Sequence, residues 1–399
     1  MENLALIQRR PLEQRGPKSS GYRRCGVFSI ALILLILLPV SASAMDAIAE
    51  AAVPDDLLPG LEHLLSLTGP QSGSDFDPRQ IEALMAFVTA SYDPTKQYHT
   101  ANRFNAPSAY IAFDFNKSLA ETLKFAYNPD VPGYALNPTS IRWSHWNKVE
   151  GSNQSLPRLW EKLPDLDRPY MVKGHEFVEI TPDLFANTYY AYGLYRTLIL
   201  LKHNGNNVLI SLSKQDDTSE VGKKGLIVGA DDDWNYFYSS KEGTGKAGIG
   251  WMRTYMYDSF SVMIYYQMSS NPASVRCSVF KWLRAGWLDI NVVKDRHIYK
   301  GLERFARTFK QMIESPAMPP PEILQQEFAS IEKLSLEELR VKTRTHLAHE
   351  VDLIRQAGNQ EIGKRLKPFY DDDYINDMTK PQLQSVLVLA YLKNIFNKQ

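Results

Sequence analysis

Cysteine is nearly absent: the 399 residues contain two, Cys25 and Cys277. Cys25 lies in an N-terminal stretch with the marks of an export leader, so the mature chain would keep one thiol and no internal disulfide. The fold must then rest on its apolar core. Charge of one sign is also lacking, since 45 Lys and Arg balance 45 Asp and Glu. Without a basic excess there is no electrostatic reason to expect nucleic acid. There is no G-x-S-x-G elbow, no H-E-x-x-H and no Cys-His signature, and no pattern that calls for a cofactor or metal. Internal repeats are missing too, and long apolar runs are missing with one exception.

That exception is residues 27–40, a charge-free apolar run preceded by Arg9, Arg10, Arg15, Lys18, Arg23 and Arg24 and followed by Ala42-Ser43-Ala44. A basic region, a short apolar core and a small-residue site form the pattern of a secretory signal, with cleavage expected after Ala44. The alternative is an uncleaved anchor, because residues 25–44 are uncharged and about 20 residues can span a bilayer. Pro39 and the small residues favour cleavage. Under either reading the basic flank stays cytoplasmic and residues 45–399 lie outside, in the periplasm or another extracytoplasmic space. Membrane contact is expected only if the leader stays attached. Cys25 precedes the apolar run, which argues against a lipid-anchored terminus. Loss of those six bases with Glu2 and Glu13 turns a net charge of zero into −4.

Composition divides the chain into a signal peptide (1–44), an N-terminal helical segment (45–108), an α+β domain with an antiparallel sheet (109–315), a Pro-rich linker (316–321) and a C-terminal helical region (322–399). Asp77-Pro78 is an N-cap with proline at the first helical position, and Ile81, Leu84, Met85 and Val88 share one helix face. A strand is expected over 109–115. Ser118 and Glu121 form a capping box for the next helix, and another helix is expected over 156–163. Asn204-Gly205 between two apolar runs predicts a hairpin in which Leu201 faces Val208, Ile199 faces Ile210 and Leu200 faces Leu209. Apolar pairs on both faces predict cover on both sides. Further strands are expected at 225–229, 234–239, 251–257, 260–268 and 275–283, as one antiparallel meander. Ile298, Leu302, Phe305, Phe309 and Met312 then mark a long amphipathic helix. Pro316 and Pro319-Pro320-Pro321 end it. Three helices follow, and the last has an apolar face of Leu383, Val386, Leu387, Ala390 and Tyr391.

Strand, two helices, a meander and a closing helix in that order resemble the helix-grip arrangement, whose concave face encloses an apolar ligand. The resemblance lies in inferred topology, and no residue motif accompanies it.

Several motifs have an ordinary reading beside a chemical one. Asp231, Asp233, Asn235 and Glu242 follow calcium-loop spacing, but Tyr236 occupies the position that needs glycine, so an acidic turn is expected. Residues 243–248 satisfy G-x-G-x-x-G yet lead into a strand, which makes them a hairpin loop. His346 and His349 share a helix with Glu350 and are expected on a solvated edge. His145 lies between Trp143 and Trp146 and is expected to be a partly buried structural histidine. Asp371-Asp372-Asp373 fits a solvated loop. Cys277, in an alternating strand, is expected to be buried and inert.

The seven tryptophans all lie within residues 143–287. A period of two puts Trp251, Arg253, Tyr255 and Tyr257 on one strand face, and Trp234, Tyr236 and Tyr238 on another. Polar-tipped aromatics on a concave sheet can line a pocket, although a half-wet strand contains them as well. The candidate ligand-binding residues are Trp234, Tyr236, Trp251, Tyr255 and Tyr257. The expected function is non-catalytic binding of an apolar or amphipathic small molecule, or of an envelope protein partner, between the aromatic sheet and the helix at 298–312. The alternative is a hydrolase of envelope polysaccharide or peptide with Asp231 and Asp233 as acid and base, which requires environments that split their pKa values. The sequence assigns no catalytic residue.

Overall fold

The computed structural model describes residues 49–398, apart from 71, 74, 153–154, 184–185, 244–251 and 359. The expected export leader and the body of the G-x-G-x-x-G segment lie outside the described residues. The chain opens with β1 (Ala49–Ala52), α1 (Leu58–Ser66), α2 (Glu82–Thr89), β2 (Lys96–His99), β3 (Ser108–Phe115) and α3 (Leu119–Ala126). There follow β4 (Ile141–Val149), β5 (Tyr170–Ile180), β6 (Thr188–Tyr189), β7 (Ala191–His203), β8 (Asn206–Gln215), β9 (Lys223–Ile227), β10 (Tyr236–Glu242), β11 (Tyr255–Ser270), β12 (Ala273–Trp287) and β13 (Ile290–Asn291). The remainder is helical: α4 (Asp295–Glu314), α5 (Pro321–Glu332), α6 (Leu336–Gln356), α7 (Gln360–Arg365), α8 (Asp372–Asp377) and α9 (Lys380–Ile395). The class is α+β, with a large, mostly antiparallel sheet and C-terminal helices.

The large sheet runs β1-β2-β3-β12-β11-β8-β7-β5-β4, with β13 on the end of β12 and only the β1–β2 pair parallel. Its centre is the hairpin expected from Asn204-Gly205. Both residues have positive φ, 49° and 79°, which suits the tight turn and favours glycine. Leu201 pairs with Val208, Ile199 with Ile210 and Leu200 with Leu209. Two apolar layers account for the two apolar faces. Ile199, Leu201, Val208 and Ile210 pack with α1 and α2, whereas Leu198, Leu200 and Leu209 join a cluster shared with α3, α4 and the C-terminal helices. Phe309 of α4 is fully buried there, against Phe113, Phe115 and Tyr265. Truncating such a ring to alanine costs about 3–5 kcal/mol. Helices α5, α6, α8 and α9 contribute to the same cluster, and α9 packs on β4.

Helix caps follow the local sequence, whereas breaks follow it less closely. Ser118 and Ser335 close capping boxes with Glu121 and Glu338. The helix expected over 156–163 is only a 3-10 turn, Leu159–Lys162, because Pro157 and Pro164 bracket it too closely. Of the strand expected at 251–257, Trp251 lies outside the described residues and 252–254 are not strand; residues 255–257 run on into the strand expected at 260–268 as β11, with a bulge between Met256 and Asp258. The segments at 225–229 and 234–239 do not continue the meander. They form a separate sheet, β10-β9-β6, while β11 returns to pair directly with β8. The segment before residue 109 also supplies two edge strands, β1 and β2.

Candidate functional site

A groove opens between β10, the start of β4 and helices α6, α8 and α9. Its walls are chiefly apolar and aromatic: Ile141, Phe237, Leu347, Met378, Leu389 and Leu392 among others. Trp234, Tyr236 and Tyr238 line it, though not as one strand face. Trp234 precedes β10 in a left-handed conformation, φ 57°, held by the 3-10 turn Asp231–Asp233.

Two buried charged groups are set in this wall. Arg142 donates to Glu179 at 2.6 Å, with both side chains 3% exposed, and its guanidinium lies 3.9 Å from the centre of the Tyr238 ring. The second oxygen of Glu179 accepts from Gln382 of α9 at 3.2 Å. The Arg142 Nε is buried without a partner. Burial pushes the Tyr374 hydroxyl, 3.4 Å from Arg142, above its usual range. In the second, the Lys393 Nζ donates to Asn235 Oδ1 at 2.6 Å and to Glu350. Burial lowers the Lys393 ammonium, with Glu350 opposing the shift. The His346 Nε2 is 3.9 Å from Glu350. Burial holds this imidazole below 6.5, so it is neutral near pH 7.

The sequence-derived site residues separate in space. Trp234 and Tyr236 line the groove. Tyr255 and Tyr257 stack on each other at the start of β11, ring centroids 6.3 Å apart, and Tyr257 covers Arg284 rather than the groove. Trp251 lies outside the described residues. The groove is also not where the 298–312 helix was expected to close one: α4 meets Tyr236 from another side, through Arg304. Arg304 holds both oxygens of Asp231, at 2.6 and 2.7 Å, while Asp233 accepts from the Ala230 backbone N–H. Asp231 also accepts from the Tyr236 hydroxyl at 2.8 Å, so both carboxylates are engaged in contacts within the fold.

Two histidines also differ from expectation. His346 turns into the groove while His349 faces solvent. His145 is exposed and stacks flat on Trp143 at 5.2 Å, because residues two apart on a strand share a face and Trp146 does not. Cys277 is buried, and burial pushes its thiol up. Among the described residues no group of three or more His, Cys, Asp or Glu could hold a metal, and no helix is long and apolar enough to cross a membrane.

Arg142, Glu179, Glu350 and Lys393 were not found from the sequence. Glu350 carried a signal, since it interrupts the buried stripe of Leu339, Thr343, Leu347 and Ile354. Lys393 carried another, at the end of the apolar run of α9. A charge inside an apolar period points to burial with a partner. No protein-family model matches this chain, and no curated protein matches it in sequence.

Proposed function

We propose that this is an exported, non-catalytic envelope protein that binds an apolar or amphipathic small molecule in the groove between β10 and the C-terminal helices. The carrying observation is an apolar, aromatic-walled space whose wall also holds the Arg142–Glu179 pair, with the Arg142 Nε unpartnered. Ligand sites combine a mainly apolar lining with a few placed polar groups, and a buried unpaired donor is costly unless something accepts from it. A helix-grip-like body is part of the reading. The strand order β3-β12-β11-β8-β7-β5-β4, with α4 packed across β3, supports it. Export follows from the leader, with the mature chain beginning at Met45.

Native mass spectrometry of protein purified from its own envelope tests this reading. The expected result is a chain mass that starts at Met45 and a non-covalent adduct released on activation. Leu389→Trp, which fills the groove, is expected to remove the adduct while thermal unfolding stays cooperative. A wild-type chain without an adduct would overturn the binding reading, and one that still carries residues 1–44 in the soluble cytosol would overturn export.

A further inference from the structure

On the face of the large sheet turned toward α3 and α4, four polar side chains stand in register across four adjacent strands. Lys281 of β12 pairs with Ser261 of β11, Ser261 with Ser213 of β8, and Ser213 with Arg196 of β7. Directly paired residues point to the same face, so these side chains form a belt. Their contacts agree: the hydroxyls of Ser213 and Ser261 are 2.6 Å apart, and Lys281 Nζ donates to Ser259 Oγ at 2.5 Å. Arg196 donates to Glu176 at 2.6 Å and to Ser211 at 3.1 Å.

The belt holds two cations and one anion. Glu176 serves Arg196, and among the described residues no carboxylate pairs with Lys281. Solvent still reaches the belt, since Lys281 is half-buried and the Arg196 side chain is 18% exposed. On the same face Leu283 and Met263 stand two residues along from Lys281 and Ser261, and Phe113 lies further along, opposite Cys277 and against Phe305; all four belong to the inner cluster yet remain partly accessible. An ammonium without a counterion beside an apolar wall is destabilising by itself, and such groups concentrate at functional sites.

We infer that this belt is a second ligand site, which takes the head of a long-chain carboxylate on Lys281 and Arg196 and its tail along Phe113, Met263 and Phe305. One carboxylate balances the uncompensated cation, and its two oxygens accept charge-assisted hydrogen bonds. The inference does not rest on the groove, which has none of these residues in its wall. Burial lowers the Lys281 ammonium to about 8, with Arg196 adding to the shift. The ionisable groups around Lys281 and Arg196 on this face include Glu176, Tyr127, Tyr192, Tyr265 and Cys277, and burial pushes the three phenols and the thiol above their usual values. Arg304, the inward-facing cation of α4, is taken by Asp231. Lys281 is therefore the group whose charge changes as pH rises from 7 to 10.

Calorimetric titration of the mature chain with dodecanoate, and with dodecanol as the uncharged analogue, tests the site. Dodecanoate is expected to bind more tightly than dodecanol at pH 7 and to weaken toward pH 10, with dodecanol unchanged. Lys281→Met and Lys281→Gln are each expected to weaken dodecanoate by about tenfold or more and to leave dodecanol unaffected. Their thermal unfolding at pH 7 is expected to match or exceed wild type, since an unpaired buried charge is gone. Leu389→Trp should leave dodecanoate binding intact. Absence of dodecanoate binding, equal binding of both probes, or wild-type affinity in both Lys281 variants would overturn the inference. Loss of binding in Leu389→Trp alone would move the ligand to the groove and overturn this second site while supporting the first.

Discussion

Arg142 and Glu179 form an ion pair across neighbouring strands, 2.6 Å between Nη1 and Oε1, in a wall where neither side chain is more than 3% exposed. The pair is sealed from above by Tyr374 and by Gln382 of α9, and from one side by the Tyr238 ring. It therefore ties the edge of the large sheet to helices that are more than 190 residues away in sequence.

Glu179→Ala would strand the guanidinium in that wall, and breaking a buried pair by removing one partner costs about 3–5 kcal/mol. Urea denaturation should record a loss of this size. The double variant Arg142→Met with Glu179→Met should recover most of it, because an apolar pair carries no desolvation penalty. A loss below about 1 kcal/mol in the single variant would mean that the pair is solvated.

His346 gives the groove a pH signature. Burial holds its folded value below 6.5, opposed by Glu350 and reinforced by Lys393 and His349. Between the folded value and 6.5 the unfolded chain binds more protons than the folded one, so stability falls as pH drops through that window. NMR titration should give His346 a midpoint below 6.5, and His346→Gln should flatten the stability profile just below pH 6.5. A midpoint at or above 6.5 would contradict the buried geometry.

The helices after Pro321 share one buried cluster with the sheet, through Leu324, Phe328, Leu383 and Val388. Scanning calorimetry of residues 45–399 should accordingly give a single transition, since continuous cores unfold together. A second resolved transition, abolished by ending the chain at Ser315, would mean that these helices unfold alone.

Local determinants were readable without the structure. Asn204-Gly205 sets a turn because both residues tolerate positive φ, and the pairing of Leu201 with Val208 follows from turn length. Ser118 and Ser335 mark helix starts because each side chain reaches a backbone N–H three residues on. The stripe of α4 indicates a buried face because residues three and four apart share a side of a helix. Strand alternation suggests Trp234 and Tyr236 on one face, but Trp234 precedes β10 and does not follow it. Both nevertheless line the groove, since the turn before β10 carries Trp234 to the same wall.

Partnership over distance was decided by the tertiary structure alone. Nothing near Arg142 in sequence names Glu179, and nothing near Lys393 names Glu350 or Asn235, because such pairs are selected by which surfaces meet when layers stack. The same holds for β11, which bypasses β9 and β10 to pair with β8, and for the belt from Lys281 to Arg196, which exists only once four strands are in register. Where the chain turns, caps and buries its apolar stripes is written into short stretches of sequence, since those choices are settled by neighbours within a few residues. Which charges lie together inside the protein was left to packing, where the energy of a buried group depends on partners supplied by distant segments.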